Sequence, residues 1–293
     1  MMISQVKNGV LNIDKPQGIT SHDVVDVIRK IFPNVKVGHT GTLDPIATGV
    51  LPICIGEATK LSDTLTAENK VYKTKMLLGV ETDTYDITGR IVFASVVPKD
   101  EIYIKERIKR FIGKQKQLPP MYSAIKVDGK KLYSYAREGK SVELEPRDIE
   151  VFDISNIEVD LTKNEVSMVV SCTKGTYIRS LINDIGKKIG CGAVMVELER
   201  LKTGEFKIDD STKLYDFLKL QYEEMLDKII SIEELFIENK RVNFKDDEYK
   251  KFLNGIMFDV DSSTKSIVRV YVNNKFKGLG KIENNKLKRF IIE

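Results

Sequence analysis

Histidine and cysteine are scarce in this chain, and their scarcity excludes whole classes of chemistry. Two histidines, His22 and His39, and three cysteines, Cys54, Cys172 and Cys191, are scattered over 293 residues with no Cys-x-x-Cys pair. That leaves little with which to build a zinc or transition-metal site, so no metal is expected. An odd, dispersed set of cysteines reads as buried free thiols in a reducing cytoplasm. No run of about 18 apolar residues occurs, so no membrane span is expected. The opening MMISQVKNGVLNIDKP lacks the basic-then-apolar layout of a secretory signal. No Ser-His-Asp order, P-loop or Gly-x-Gly-x-x-Gly fingerprint is evident.

What is present suits a soluble protein of one large or two smaller domains. Hydrophobic residues make up 42% of the chain, enough for a substantial core, and charged residues 31%. The net charge of +4 hides an uneven distribution. Residues 99–147 carry 13 Lys and Arg against 7 Asp and Glu, residues 205–261 carry 9 against 15, and residues 263–293 carry 8 against 2. Two basic segments flanking an acidic one offer two contact patches for a polyanion; equally, the lysines serve solubility.

Periodicity predicts an α+β fold. Short strands are expected at Val10–Asp14, Val50–Ile55, Val71–Leu78, Ile91–Phe93, Val151–Ile157 and Glu165–Cys172. Helices are expected at His22–Ile31, capped by Thr20 or Ser21, at Asp100–Ile112, at Tyr177–Ile189 and at Phe217–Ile230. The basic stretch from about 115 to 147 interleaves tyrosines with lysines between prolines and reads as a partly extended insertion. From about Val242 a small β-rich appendage begins. It has a helix at Asp246–Leu253, strands at Ile267–Val272, Lys275–Ile282 and Leu287–Ile292, and Asn-Asn turns at 273–274 and 284–285.

The most singular stretch is GHTGTLDPIATGVLPICIGEATK, Gly38–Lys60. Asp44 before Pro45 is a good opening for a tight turn. The surrounding glycines and the apolar run that follows suit a loop that presents the carboxylate. Arg179 is a second oddity, a cation in the first turn of a helix whose dipole disfavours it by roughly 0.3–1 kcal/mol. It fits either a surface arginine or a buried one paired with a carboxylate. Strand alternation puts Tyr72 on one face with Thr74, Met76 and Leu78, and Lys73 and Lys75 on the other. The string ETDTYDITG, 81–89, reads as a polar turn. These features suit a polyanion-processing enzyme and an RNA-binding protein alike.

Five segments taken together resemble a known family. LNIDKPQGITSHDVV, GHTGTLDPIATGVLPICIGEATK, YKTKMLLGVETDTYDITG, PPMYSAIKVDGKKLYSYAREG and CTKGTYIRSLINDIGKKIGCGA are similar, in order and spacing, to the bacterial tRNA pseudouridine-55 synthases. The resemblance implies a mixed or antiparallel sheet core with flanking helices over residues 1–239, and a short PUA-like RNA-binding domain over 240–293. It implies isomerisation of a T-loop uridine of tRNA to pseudouridine, with no cofactor, no membrane, no obligatory protein partner and a monomeric enzyme. Asp44 would be the essential carboxylate, as nucleophile or as acceptor of a ribose proton. Arg179 would pair with it. Tyr72 would stack on the target base and help remove the C5 proton, and Tyr177 would line the pocket. His39 would fill the place left by the flipped nucleotide. Lys15, Lys60 and, in the insertion, Met121, Tyr122, Lys126, Lys130 and Lys131 would contact RNA. The competing expectations are a non-catalytic tRNA-binding or tRNA-folding protein and a guide-dependent rRNA pseudouridine synthase.

Overall fold

The computed structural model describes residues 6–123, 125–127, 129–138, 142, 144–260 and 265–292. The chain begins with β1 (Gly9–Lys15) and α1 (Ser21–Ile31), followed by β2 (Val37–His39), β3 (Thr48–Ile55), a 3-10 turn at Gly56–Leu61 and α2 (Ser62–Thr66). Next come β4 (Lys70–Leu78), a hairpin of β5 (Val80–Thr82) and β6 (Ile91–Ala94), α3 (Glu101–Lys109) and β7 (Gly113–Gln117). The expected insertion holds β8 (Lys126–Val127), β9 (Lys130–Lys131) and α4 (Leu132–Arg137). Then follow β10 (Arg147–Asp160), β11 (Glu165–Cys172), α5 (Ile178–Ile189) and β12 (Ala193–Thr203). The remainder is made of short pieces: β13 (Phe206–Lys207), β14 (Thr212–Lys213), α6 (Leu214–Phe217), α7 (Tyr222–Asp227), β15 (Ile230–Ser231) and α8 (Ile232–Leu235). It closes with β16 (Arg241–Phe244), α9 (Asp246–Leu253), β17 (Phe258–Asp259), β18 (Ser266–Val272), β19 (Lys275–Glu283) and β20 (Lys286–Ile292).

Contacts divide the chain into two units. One gathers Met1–Asp44, Leu51–Thr66 and Asp210–Glu293; the other gathers Pro45–Val50 and Ala67–Asp209.

In the first unit, Thr20 starts α1 with a capping box: its hydroxyl accepts from the Asp23 N–H while the Asp23 carboxylate accepts from the Thr20 N–H. Val24, Val25 and Ile28 form the buried face of that helix. β1 runs parallel to β14 and antiparallel to β15, and β2 is antiparallel to β3. Residues 241–292 form a five-stranded sheet in the order β16–β18–β19–β20–β17. Its own core is Phe244, Phe252, Val268, Val270, Val272, Ile282 and Leu287. Both Asn-Asn pairs turn hairpins with positive φ, 49° and 62° at Asn273 and Asn274 and 52° and 58° at Asn284 and Asn285. Such turns match the twist of the flanking strands.

The helix expected at Phe217–Ile230 is corrected to two short ones, α6 and α7. The chain breaks after Phe217 because Gln221 opens a new capping box, its N–H donating to the Glu224 carboxylate at 2.8 Å. β15 then leaves the helix to pair with β1. The strand β16 was not expected either; it pairs in parallel with β18.

The second unit is built on an antiparallel sheet in the order β12–β4–β11–β10–β7. The first residues of β3 join it in parallel, Thr48 opposite Glu199 and Gly49 opposite Arg200. The alternation read for β4 holds: Tyr72, Thr74, Met76 and Leu78 are buried, while Lys73 is exposed. Helix α5 buries Ile178, Leu181, Ile182, Ile185 and Ile189, the stripe its sequence predicts.

Candidate active site

The Gly38–Gly49 stretch contains a short strand end and then a loop. β2 closes at His39, and the Thr40 N–H donates to the Pro52 carbonyl at 3.1 Å. The Gly41 N–H donates to His39 Nδ1 at 3.3 Å, so a neutral His39 carries its proton on Nε2. His39 itself is half-buried. Leu43 is locked by one side chain from α1. The Ser21 hydroxyl accepts from the Leu43 N–H at 2.8 Å and donates to the Leu43 carbonyl at 3.1 Å. Both residues are buried. Asp44 follows directly, half-buried, ahead of the turn at Pro45–Ile46.

The two lysines expected to contact RNA in this unit differ in setting. Lys15 is fully buried, and its ammonium donates to the carbonyls of Pro16 at 2.9 Å and Ile19 at 2.8 Å. It fastens the turn between β1 and α1. Lys60 is half-exposed and ion-paired with Glu57 one helical turn away.

In the second unit Arg179 is a buried arginine, 5% exposed. Its Nη2 donates to the Tyr122 carbonyl at 2.8 Å and its Nη1 to the Thr84 carbonyl at 3.2 Å. Nη1 also lies 3.7 Å from the Asp86 carboxylate. One Asp86 oxygen is occupied by the turn, accepting from the Thr88 N–H at 3.0 Å and from the hydroxyls of Thr88 at 2.6 Å and Thr84 at 2.9 Å. The other oxygen faces Arg179. The string ETDTYDITG is thus a polar turn, as its composition indicates, and it also supplies a carboxylate to the arginine.

Four hydrogen bonds tie the start of the insertion to the beginning of α5. The Tyr177 N–H donates to Gln117 Oε1 at 2.8 Å, and the Tyr177 carbonyl accepts from Gln117 Nε2 at 3.0 Å. The Ser180 hydroxyl donates to the Leu118 carbonyl at 2.9 Å, and Arg179 holds the Tyr122 carbonyl. Met121 and Tyr122 are half-buried. The side chains of Lys126, Lys130 and Lys131 lie outside the described residues.

Tyr72, 7% exposed, sits opposite Arg200 in the β4–β12 pair, and its hydroxyl hydrogen-bonds the Arg200 guanidinium. Arg200 is 1% exposed. Burial pushes its pKa down, and the Tyr72 oxygen opposes that shift. Lys70, two residues before Tyr72 on the same face, is also buried. Burial first, and the Arg200 charge second, lower its pKa to about 8.

Residues 29–178 match the model of the TruB family pseudouridylate synthase N-terminal domain, and residues 179–236 match the tRNA pseudouridylate synthase B C-terminal domain. The chain belongs to the TruB family of pseudouridylate synthases. The first match holds Asp44, Tyr72, Asp86 and Tyr177; the second opens on Arg179 and includes Arg200. Among relatives, tRNA pseudouridine synthase B of Clostridium kluyveri is 44% identical over 279 residues, covering 93% of this chain and 95% of the relative. The protein of that name from Clostridium tetani is 46% identical over 282 residues, with the same coverage. A solved Cbf5-Nop10-Gar1 complex contains a chain with a TM-score of 0.70 and 27% identity, covering 98% of this chain and 84% of that one. A further solved structure, an H/ACA RNP bound to a substrate RNA containing 2'-deoxyuridine, has a chain with a TM-score of 0.68 and 27% identity, at the same coverage. The TruB-family core is therefore the mixed α and β fold that the resemblance implied.

Four residues with defined geometry escaped sequence reasoning. Ser21 was visible only as a candidate cap, Asp86 only as a turn residue, and Gln117 and Arg200 not at all. A signal existed for Asp86, since an arginine buried at a helix start needs a carboxylate or carbonyls nearby. For Gln117 and Arg200 the partners are 60 and 128 residues away in sequence, beyond any local pattern.

Proposed function

We propose that this chain isomerises uridine to pseudouridine in tRNA, at position 55 of the T loop. The observation that carries the proposal is the family match joined to near-full-length relatives named tRNA pseudouridine synthase B at 44% and 46% identity. The reaction breaks the bond between ribose C1′ and uracil N1, turns the base and bonds C5 to C1′. C5 loses a proton and N1 gains one, so the change is an isomerisation and calls for no external oxidant, reductant or group donor. The target nucleotide must leave the loop stack first, at a cost of a few kcal/mol.

In this proposal Asp44 acts on the ribose, as nucleophile or as proton acceptor. The Ser21 clamp on Leu43 supports that role, because it fixes the residue before Asp44. Arg179 supplies the positive charge that keeps the site carboxylate ionised, Tyr72 the platform for the base, and Tyr177 part of the pocket wall. His39 fills the vacated place, and Lys60, Met121, Tyr122 and the insertion lysines meet the RNA. Residues 1–239 form the catalytic domain and 240–293 a PUA-like RNA-binding domain. The enzyme works in the cytoplasm as a monomer. No helix among the described residues is long and apolar enough to cross a membrane.

The test is a T-arm stem-loop labelled with tritium at uridine C5. Wild type releases the label; Asp44→Asn binds the RNA and releases none. Binding without release by wild type overturns the proposal in favour of an RNA-binding or RNA-folding protein. Binding should also weaken as salt rises, because phosphate contacts release counterions.

A further inference from the structure

Arg200 occupies a node of the second unit's sheet. On one side it stands opposite Tyr72 of β4 in the antiparallel register; on the other it stands opposite Gly49 of β3 in the parallel register. The register shifts between Arg200 and Lys202, so the arginine sits at a bulge, where a strand can re-aim a side chain. Its Nε donates to the Val50 carbonyl at 2.7 Å. Its guanidinium hydrogen-bonds the Tyr72 hydroxyl. Among fully buried side chains it is one of the largest.

Burying a guanidinium costs several kcal/mol, and a core position that needs only volume is filled more cheaply by Met or Leu. The Val50 carbonyl anchors the guanidinium through Nε. The guanidinium also donates to the Tyr72 oxygen, and Arg is suited to holding more than one acceptor at once by its rigid planar donor set. A second cation, Lys70, lies buried on the same face of β4. Lys70 and Arg200 feel each other's charge, and the Arg200 charge beside the Tyr72 hydroxyl stabilises a negative oxygen there.

We infer that Arg200 is a positioning residue that holds Tyr72 and neutralises its phenolate form, so that Tyr72 takes the proton from uracil C5. The inference rests on the function proposed above. After C5 has bonded to C1′, the C5–H bond breaks. Its electron pair restores the C5=C6 double bond, the C6=N1 double-bond pair left by the attack returns to N1, and the proton goes to the Tyr72 oxygen. That proton then passes to solvent, and N1 takes one from solvent, which closes the balance. In this role Arg200 acts through the tyrosine.

The experiment compares wild type, Arg200→Lys, Arg200→Met, Tyr72→Phe and the double variant Arg200→Lys/Tyr72→Phe on T-arm RNA carrying protium, deuterium or tritium at C5. Folding is followed by thermal unfolding, and binding is measured apart from turnover. Arg200→Met is expected to lose at least about 100-fold in kcat, the scale of a lost general base, with RNA affinity within a few-fold of wild type. In both Arg200 variants the C5 deuterium isotope effect should grow and the rising limb of the pH–rate profile should move to higher pH, less for Lys than for Met. In the Tyr72→Phe background, Arg200→Lys should add no further loss. If Arg200→Met does not fold, Arg200→Lys decides by the same isotope effect, pH limb and double-variant comparison. Loss of kcat with an unchanged pH profile and isotope effect, or additive losses with Tyr72→Phe, overturns the inference and leaves Arg200 as a strand anchor. Absence of label release by wild type overturns instead the function on which the inference rests.

Discussion

Arg179 Nη1 and the Asp86 carboxylate are 3.7 Å apart, and both side chains are more than nine-tenths withdrawn from water. Removing one partner of such a pair leaves an uncompensated buried charge, typically at about 3–5 kcal/mol. Asp86→Ala should therefore unfold at a markedly lower temperature and lose C5 label release. Asp86→Asn separates two roles. The amide can keep the acceptor oxygen that serves Thr84 and Thr88, but it brings N–H groups toward the guanidinium. It should stay closer to wild type in thermal unfolding while turnover falls by about 100-fold. Wild-type turnover in Asp86→Asn would show that the carboxylate serves only the turn.

A second prediction concerns Ser21. Its hydroxyl closes both backbone groups of Leu43, and nothing else in the α1 cap depends on it, since Thr20 and Asp23 make the capping box. Ser21→Ala leaves the buried Leu43 N–H without this acceptor, at about 1–3 kcal/mol. The loss should appear in thermal unfolding, and kcat should fall more than RNA affinity because Asp44 follows Leu43. Equal falls in kcat and affinity would place the effect on the whole fold.

Much of the fold was legible where one face of an element is buried by its own periodicity, although the strand β12 was not expected. Glu165–Cys172 and Asp246–Leu253 match their expected bounds, and the α5 stripe is buried as predicted. The Phe217–Ile230 expectation failed because a capping signal at Gln221 outweighs helical propensity. β16 was missed because its strand character comes from a parallel partner 28 residues away. Asp44 stood out for the glycines and the apolar run around its turn, and Arg179 because a cation in the first turn of a helix opposes the dipole. Asp86 and Arg200 looked ordinary, because their roles exist only across strands and turns. Lys15, expected to contact RNA, is buried with its ammonium on the Pro16 and Ile19 carbonyls, a placement no local pattern signals.

A third prediction uses pH. Burial first, then the Arg200 charge, lowers the Lys70 pKa from 10.5 to about 8. Between those values the unfolded chain binds more protons than the folded one, so this group's contribution to stability rises with pH from about 8 to about 10.5. Below about 8 the cost is fully present, on the order of 3 kcal/mol. Lys70→Met should thus melt higher than wild type at pH 7, despite losing the contact from Lys70 to the Glu68 carbonyl. The gap should narrow steadily as pH rises through that window. A gap independent of pH would mean that packing alone separates the two proteins.

The last prediction tests how tightly the first residues of β3 are held. Gly49 has φ of +98°, and a Cβ added there would lie 2.3 Å from the Arg200 carbonyl oxygen and 2.7 Å from its nitrogen. Neither neighbour is the end of a flexible side chain, so relief requires β3 and β12 to move apart. Strain from a positive φ costs about 1–3 kcal/mol, and overpacking adds about 1–3 kcal/mol more. Gly49→Ala should therefore lose roughly 2–6 kcal/mol in denaturant unfolding. Gly18 is the control: its φ is +93°, but a Cβ there meets nothing within 4 Å. Gly18→Ala should show the backbone cost alone, about 1–2 kcal/mol. The difference between the two variants measures the closeness of β3 to β12. Because Arg200 also anchors Val50, Gly49→Ala should disturb turnover as well, whereas Gly18→Ala folded to the same extent should not. Equal destabilisation in both variants would show that the strands separate freely, and that the Arg200 node does not hold them.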